Sequence, residues 1–343
     1  SYLNQLDTKE LTMIRDTSDV SYLFFKNKVV EVKENSISFI DYINVGGFVW
    51  QKNIIPHDFE TIDLKSDFEA FINNISNKDE KRKLTIECAI GYLLSTYKKQ
   101  DEGLAIVLYD ETLNDNPSGR TGKTIISKAL GHMRKLVTLN GKEFDNKGNF
   151  PYDVVNLDDN IICFDDMERT FKLETLFSIM TGNLTLKKKF QQPIEIPFVK
   201  SPKILFTSNY ILSGVGDSHE DRKIEIELFR HYSKNYKPRN EFGKMFFNDW
   251  NHKEWNAFFN YMISNLQKYF KNGLIKSELK TSKTKKFIAN TCEDFYDFCE
   301  NEFLWKPNHF YTTKEIMTSY NDGHRELPRN MNVSWFGRWL GTY

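Results

Sequence analysis

Three compact apolar runs, LAIVLY (104–109), NIICF (160–164) and KILFTSN (203–209), stand between charged or turn-forming residues. A short apolar run without polar alternation suits a strand buried on both faces. Between them KTIISKALGHM (123–133) and KLETLFSIM (172–180) carry apolar residues at three-to-four spacing, the helical period. Strands alternating with helices predict an α/β fold with a mainly parallel central sheet. The chain before this region is different. SYLFFKNKVVEVKENSISFIDY (21–42) breaks into short runs rich in Val, Ile, Phe and Tyr around KNK and KEN turns, a β pattern. FEAFINNIS (68–76) and RKLTIECAIGYLLSTY (82–97) then read as helices, and KKQDEG (98–103) interrupts the hydrophobic pattern. After the sheet region EWNAFFNYMISNLQKYF (254–270) predicts a long helix. KSELKTSKTKK (276–286) reads as a linker, and the tail offers three short helical patterns ending in VSWFGRWL (333–340).

The expected organisation is therefore a β/helical N-terminal region over 1–100, an α/β domain over 101–275 and a helical domain over 276–343. In the last, TTKEIMTSY (312–320) with Thr312 or Thr313 as N-cap reads either as part of a helix-turn-helix or as part of a plain bundle. Trp335, Arg338 and Trp339 would touch DNA in the first case and fill a core in the second.

The strongest chemical signal is PSGRTGKT (117–124). A loop ending in GKT at a helix start aims backbone N–H groups at phosphate oxygens. Gly119, Arg120, Thr121, Gly122, Lys123 and Thr124 would cradle a nucleotide, with Lys123 on the β- and γ-phosphates and the Thr124 hydroxyl on Mg²⁺. IICFDDM ends an apolar strand with Asp165 and Asp166. A strand C-terminus is where an open α/β sheet binds ligands. Asp165 is the candidate Mg²⁺ ligand, and Asp166 the group that orients and activates the attacking water. Asn209 closes the next apolar run and would touch the γ-phosphate or that water. Arg222, in EDRK, is the candidate arginine finger acting across a subunit interface. Between the acidic pair and Asn209, TGNLTLKKKFQQPIEIPF (181–198) predicts a hairpin with Lys187, Lys188, Lys189 and Phe190 at its tip. Lysines there can grip phosphates regardless of sequence, and an aromatic ring can stack on a base.

Singly each motif has an ordinary explanation: a chance GKT, a solvated acidic pair, a lysine turn, a surface arginine in an ion pair. Together and in this order they are similar to the superfamily 3 helicases of the AAA+ class, and most similar to the helicase halves of phage and mobile-element primase-helicases. The resemblance is specific over 104–229. It implies an AAA+ core, a hexameric ring driven by ATP and Mg²⁺, and single-stranded or forked DNA gripped in a central pore by a hairpin lysine, matched here by Lys189 or the adjacent Lys188. It also implies a winged helix as the usual ending. Departures are Pro117 at the motif's first Gly, Asn183 after Gly182 where an acidic residue is frequent, and Lys223 at a frequent second Arg.

Composition changes this picture little. With 47 basic and 47 acidic residues the chain has no net charge, so any DNA-binding charge must be local. No run approaches the roughly 20 apolar residues of a membrane span, and no signal peptide is visible. The four cysteines form no CxxC pair, and core packing in a reducing, cytoplasmic setting is expected. Since the chain begins at Ser1, an upstream primase or polymerase domain, or a partner of that kind, is expected too. Two alternatives remain: an AAA+ ATPase remodelling a substrate other than DNA, including a defence ATPase, and a nucleotide-binding scaffold of a replisome. Retention of Asp166 and Arg222 argues against the scaffold, since binding alone needs neither.

Overall fold

The computed structural model describes residues 11–99, 103–111, 120–168, 171–209, 221–276, 287–288, 290–322 and 331–343. They divide into a larger unit, up to 276, and a smaller one from 287 onward.

In the larger unit the apolar runs become strands of one five-stranded parallel sheet. These are β4 (Ala105–Asp110), β5 (Leu136–Asn140), β6 (Ile161–Met167), β9 (Lys203–Ser208) and β10 (Lys223–Leu228), ordered β10-β4-β9-β6-β5. β4 and β9 are buried at every position, as strands covered on both faces must be. The chain leaves β4 for the far edge strand β5, returns through β6 to β9, and then crosses β4 to reach β10. Connections from β4 and β9 thus depart in opposite directions, which opens a crevice at their carboxyl ends.

Two of the strands were not anticipated. β5 is short and half-exposed at the sheet edge, so its apolar signal is weak. β10 alternates apolar residues with Lys223, Glu225 and Glu227, all three of them buried. Lys223 donates to Glu225 at 2.7 Å, so pairing offsets the burial that the charges would otherwise resist. KLETLFSIM, expected as one helix, is a 3₁₀ turn (Leu173–Leu176) followed by the five-residue α4 (Phe177–Thr181).

Helices α1 (Asp67–Ile75), α2 (Glu80–Leu94), α3 (Lys123–Met133), α5 (Pro238–Phe242) and α6 (His252–Asn272) pack with this sheet among the described residues of the unit. Ser66, Asp79 and Asn251 cap α1, α2 and α6 by accepting from the first-turn amides Phe68, Arg82 and Lys253. α2 and α6 pack closely at Gly91, where an added Cβ would lie 2.1 Å from the Asn265 carbonyl oxygen. Only glycine fits that crossing. The N-terminal strands β1 (Val20–Phe24), β2 (Val29–Lys33) and β3 (Ser36–Ile40) form an antiparallel meander. Leu23, Val30 and Val32 belong to the same hydrophobic core as Ile106, Cys163 and Phe258. Buried Arg134 seals this junction, donating to Asp16 (3.0 Å), Ser21 (2.9 Å) and the carbonyls of Tyr22 (2.8 Å) and Leu94 (2.7 Å).

The smaller unit has its own aromatic core. α7 (Glu293–Asp297) runs into a π-helical turn (Phe298–Glu302), followed by α8 (Thr313–Asp322) and α9 (Val333–Leu340). Phe295, Phe298, Tyr320, Phe336 and Trp339 fill this core, whereas Trp335 is exposed. Thr312 accepts from the Glu315 amide while Glu315 accepts from the Thr312 amide, a reciprocal cap that holds the Glu315 carboxyl below its ordinary range. Among the described residues no helix is long and apolar enough to cross a membrane.

Candidate functional site

β4 delivers the chain to the crevice, and the GKT segment turns it into α3. Gly122 caps this helix at φ +100°, a left-handed conformation that L side chains resist. An added Cβ there would also stand 2.4 Å from the Phe71 ring. Gly122 therefore answers both a backbone and a packing demand. The α3 N-terminus, with Lys123 as its first residue, opens onto a cavity of about 420 Å³.

Within it one network joins three strand ends. The Lys123 ammonium, nearly buried, pairs with the Asp110 carboxylate at the end of β4 and donates to Asn209 Oδ1 at 2.9 Å. Asn209 Nδ2 in turn donates to Asp166 Oδ1 at 2.9 Å. Thr207 donates to Asp165 at 2.6 Å and accepts the Asp166 amide at 2.9 Å, locking the tips of β6 and β9 together. A register shift between Phe164 and Met167 and φ +58° at Asp166 turn that carboxylate out of the strand. Non-glycine residues adopt that conformation at a cost, and such strain concentrates at functional sites. Lys142 closes the network with a 2.5 Å ion pair to Asp166 Oδ2.

Of the residues read from sequence, Arg120, Thr121, Gly122, Lys123, Thr124, Asp165, Asp166 and Asn209 line this one cavity. Gly119 lies outside the described residues. Arg222 does not join them. It precedes β10, whose Lys223 pairs with Ala105 at the amino end of β4, so it sits on the opposite edge of the sheet. Six strand residues separate that edge from Asp110, about 20 Å at the usual rise of ~3.3 Å per residue. Its guanidinium lies 4.4 Å from the centre of the Phe177 ring. The lysine hairpin forms as β7 (Leu184–Leu186) and β8 (Ile194–Ile196). Phe190 is 95% exposed at its tip, with the Lys189 ammonium 5.1 Å from its ring centre. Lys187 is exposed too, while Lys188 is tethered to Asn156 at 2.7 Å.

Asp110, Lys142, Thr207, Tyr232 and Lys237 escaped the sequence reading. Asp110 did carry a signal, as the polar residue ending LAIVLYD just before the loop. Tyr232 and Lys237 form a wall of the cavity beside α5. Burial pushes the Tyr232 phenol well above its ordinary pKa, and it donates to Glu241 at 2.8 Å.

No protein-family model matches this chain, and neither does any curated protein. Solved structures do. An A-form apo structure of the NrS-1 C-terminal region is 11% identical with a TM-score of 0.44, covering 93% of this chain and 90% of that one. Another structure of that region is 13% identical, TM-score 0.41, covering 80% and 72%. JCV helicase with a small molecule bound is 14% identical, TM-score 0.35, covering 74% and 65%.

Proposed function

We propose that this chain is an ATP- and Mg²⁺-dependent motor that acts on single-stranded or forked DNA as a ring-forming helicase. The observation that carries the reading is the convergence of Asp165, Asp166 and Asn209 from two strand ends, and of Lys123 from the α3 N-terminus, onto one crevice. Pure nucleotide binding does not require a strained carboxylate hydrogen-bonded to an amide at the same point.

The donors fit Mg²⁺. Among the described residues no three His, Cys, Asp or Glu side chains form a cage. Mg²⁺ seeks none, taking one or two carboxylates plus water and phosphate oxygens, and Asp165 with the exposed Thr124 hydroxyl is such a set. When bound, the ion neutralises charge building on the phosphates. Lys123 is the phosphate contact, exchanging its Asp110 partner for β- and γ-oxygens. Asp166 takes the proton of the attacking water, and Asn209, already bonded to both Lys123 and Asp166, keeps the two at fixed separation. Arg222, too far from its own cavity, serves the cavity of a neighbouring subunit. Lys187, Lys189 and Phe190 hold the strand.

The test is ATP hydrolysis with and without a single-stranded oligonucleotide. Lys123→Ala should abolish both nucleotide binding and turnover. Asp166→Asn should keep ATP bound while slowing hydrolysis by roughly a hundredfold or more. Unimpaired turnover in Asp166→Asn removes that carboxylate from the chemistry. A parent protein that hydrolyses ATP but neither binds nor unwinds DNA would favour a motor acting on another substrate.

A further inference from the structure

The hairpin does not stand alone. Two adjoining cavities, about 540 and 460 Å³, lie between it and the loop that follows β3, and Trp50 and Asp158 line both. Together they make a groove running from Lys188 and Gln191 on the hairpin, past Trp50, to Arg15 and Lys200. The floor is formed by residues just before β6 and β9, so the groove is at the amino edge of the sheet, away from the crevice holding Lys123.

Trp50 is the unusual feature. It precedes the 3₁₀ turn Gln51–Asn53 and is 48% exposed, and no aromatic ring of the described residues stacks on it. A half-exposed indole at the junction of two cavities invites a flat, apolar-faced ligand. Charge says which kind. Lys52, Lys188 and Lys200 line the groove without a carboxylate partner among the described residues. Three of the carboxylates that also line it are paired, Asp158 and Asp159 sharing Lys135 at 2.6 and 3.1 Å, so that one charge of those two is offset, and Asp16 with Arg134 at 3.0 Å. Glu195, at the rim, accepts from Asn183 at 2.5 Å and is the one acidic group there held only by an amide. Asn53, which also lines it, keeps its Oδ1 buried with no hydrogen-bond donor among the described residues. A stackable ring flanked by separate cations matches a polyanion carrying planar groups.

We propose that this groove is a second binding surface for single-stranded nucleic acid, in which one base stacks on Trp50 while Lys52 and Lys200 hold the adjacent phosphates. It rests on the reading that the chain acts on DNA, and extends it from the hairpin tip to the N-terminal region. A strand leaving Lys189 would pass Lys188 and reach Trp50 before it leaves the protein. The groove meets backbone and base face alone, so it is indifferent to sequence.

The probe is a fluorescein-labelled oligothymidylate, titrated by anisotropy at several salt concentrations. Trp50→Ala should weaken binding roughly ten- to a hundredfold, the range a stacked base contributes, and Trp50→Phe should keep most of the affinity. Lys52→Ala with Lys200→Ala should make the log–log salt slope shallower by about 1.4, or ~0.7 for each phosphate that no longer meets a lysine. All three positions are outside the core, and melting curves check the fold. A second readout uses the unaltered protein: an oligonucleotide with 5-bromouracil in place of thymine, irradiated and digested, should cross-link the peptide containing Trp50. Unchanged affinity in Trp50→Ala, or cross-links confined to the hairpin peptide, overturns the groove and leaves the helicase reading standing. If Lys187→Ala/Lys189→Ala abolishes binding while Trp50→Ala leaves it unchanged, the result is the same. A parent that binds no oligothymidylate overturns both.

Discussion

Gly122→Ala tests whether the phosphate-loop geometry is built into the core rather than induced by a ligand. Two costs add. At φ +100° and ψ 3° an alanine is strained by about 1–3 kcal/mol. Its Cβ would also lie 2.4 Å from Phe71, whose ring is fully buried against Phe68 (5.7 Å), Tyr232 (5.6 Å) and Phe246 (5.7 Å) and has no free direction to move. Overpacking of that kind costs a further 1–3 kcal/mol or so. The sum, about 2–6 kcal/mol, is a large part of the stability of an ordinary domain.

The two contributions separate in a double-mutant cycle. Phe71→Ala alone should cost about 3–5 kcal/mol through the cavity it leaves. With the ring gone, Gly122→Ala should cost only its backbone strain, so the two changes should couple by about 1–3 kcal/mol. Urea unfolding followed by tryptophan fluorescence reads this directly, since Trp250 and Trp255 belong to the same core as Phe71. Equal costs of Gly122→Ala in the two backgrounds would refute the packing half of the reasoning. A cost below about half a kcal/mol in both would refute the backbone half.

Three further outcomes are expected. Asp110→Asn leaves the Lys123 ammonium without its carboxylate and should destabilise the free protein by up to about 3 kcal/mol; saturating ATP should shrink that deficit in thermal melts, and a deficit indifferent to ATP would mean that phosphates do not replace Asp110. Burial holds the Lys98 ammonium, bonded to Ser201 at 2.7 Å, down to a pKa of about 7. Between about 7 and the unfolded value near 10.4 the unfolded chain therefore binds more protons, and stability rises with pH by up to about 1.4 kcal/mol per unit; Lys98→Met should lack that slope in urea melts at pH 7 to 9, and parallel curves would count against it. Mixing inactive Lys123→Ala with inactive Arg222→Ala should restore part of the ATPase, whereas complete inactivity at every ratio, with mixed assemblies verified, would end the case for an arginine acting in trans.

What the sequence made legible was local. GKT before a helical repeat, DD ending an apolar strand and Asn209 ending another each declare themselves within a few residues, and each lines the crevice. The lysine hairpin was equally local, because LTL and IEI pair across one turn. β10 was hidden because its Lys223 and Glu225 are buried as a pair, and a pattern read residue by residue scores each charge as exposed. Lys142 and Tyr232 were hidden for another reason. Nothing near them in the chain suggests a site, and only the path of the backbone brings them to one.

Strand order supplies that path, and it also explains why neighbours in sequence part company. Asn209 and Arg222 are 13 residues apart, yet they occupy opposite edges of the sheet. β9 ends at the crevice, and any strand parallel to it must begin at the far edge before running back. A residue just before β10 is thus excluded from its own crevice by topology alone, whatever its side chain. Parallel order puts the same residue at the edge farthest from its own Lys123, so a role for it at a phosphate requires another molecule's site. Rewiring would test this. An arginine moved to the carboxyl end of β10, as Phe229→Arg in an Arg222→Ala background, lies on the crevice side, beside the Ile75 carbonyl that receives its amide at 2.7 Å. It should not restore turnover if the finger must come from a neighbour, and restoration would show that an arginine in cis suffices.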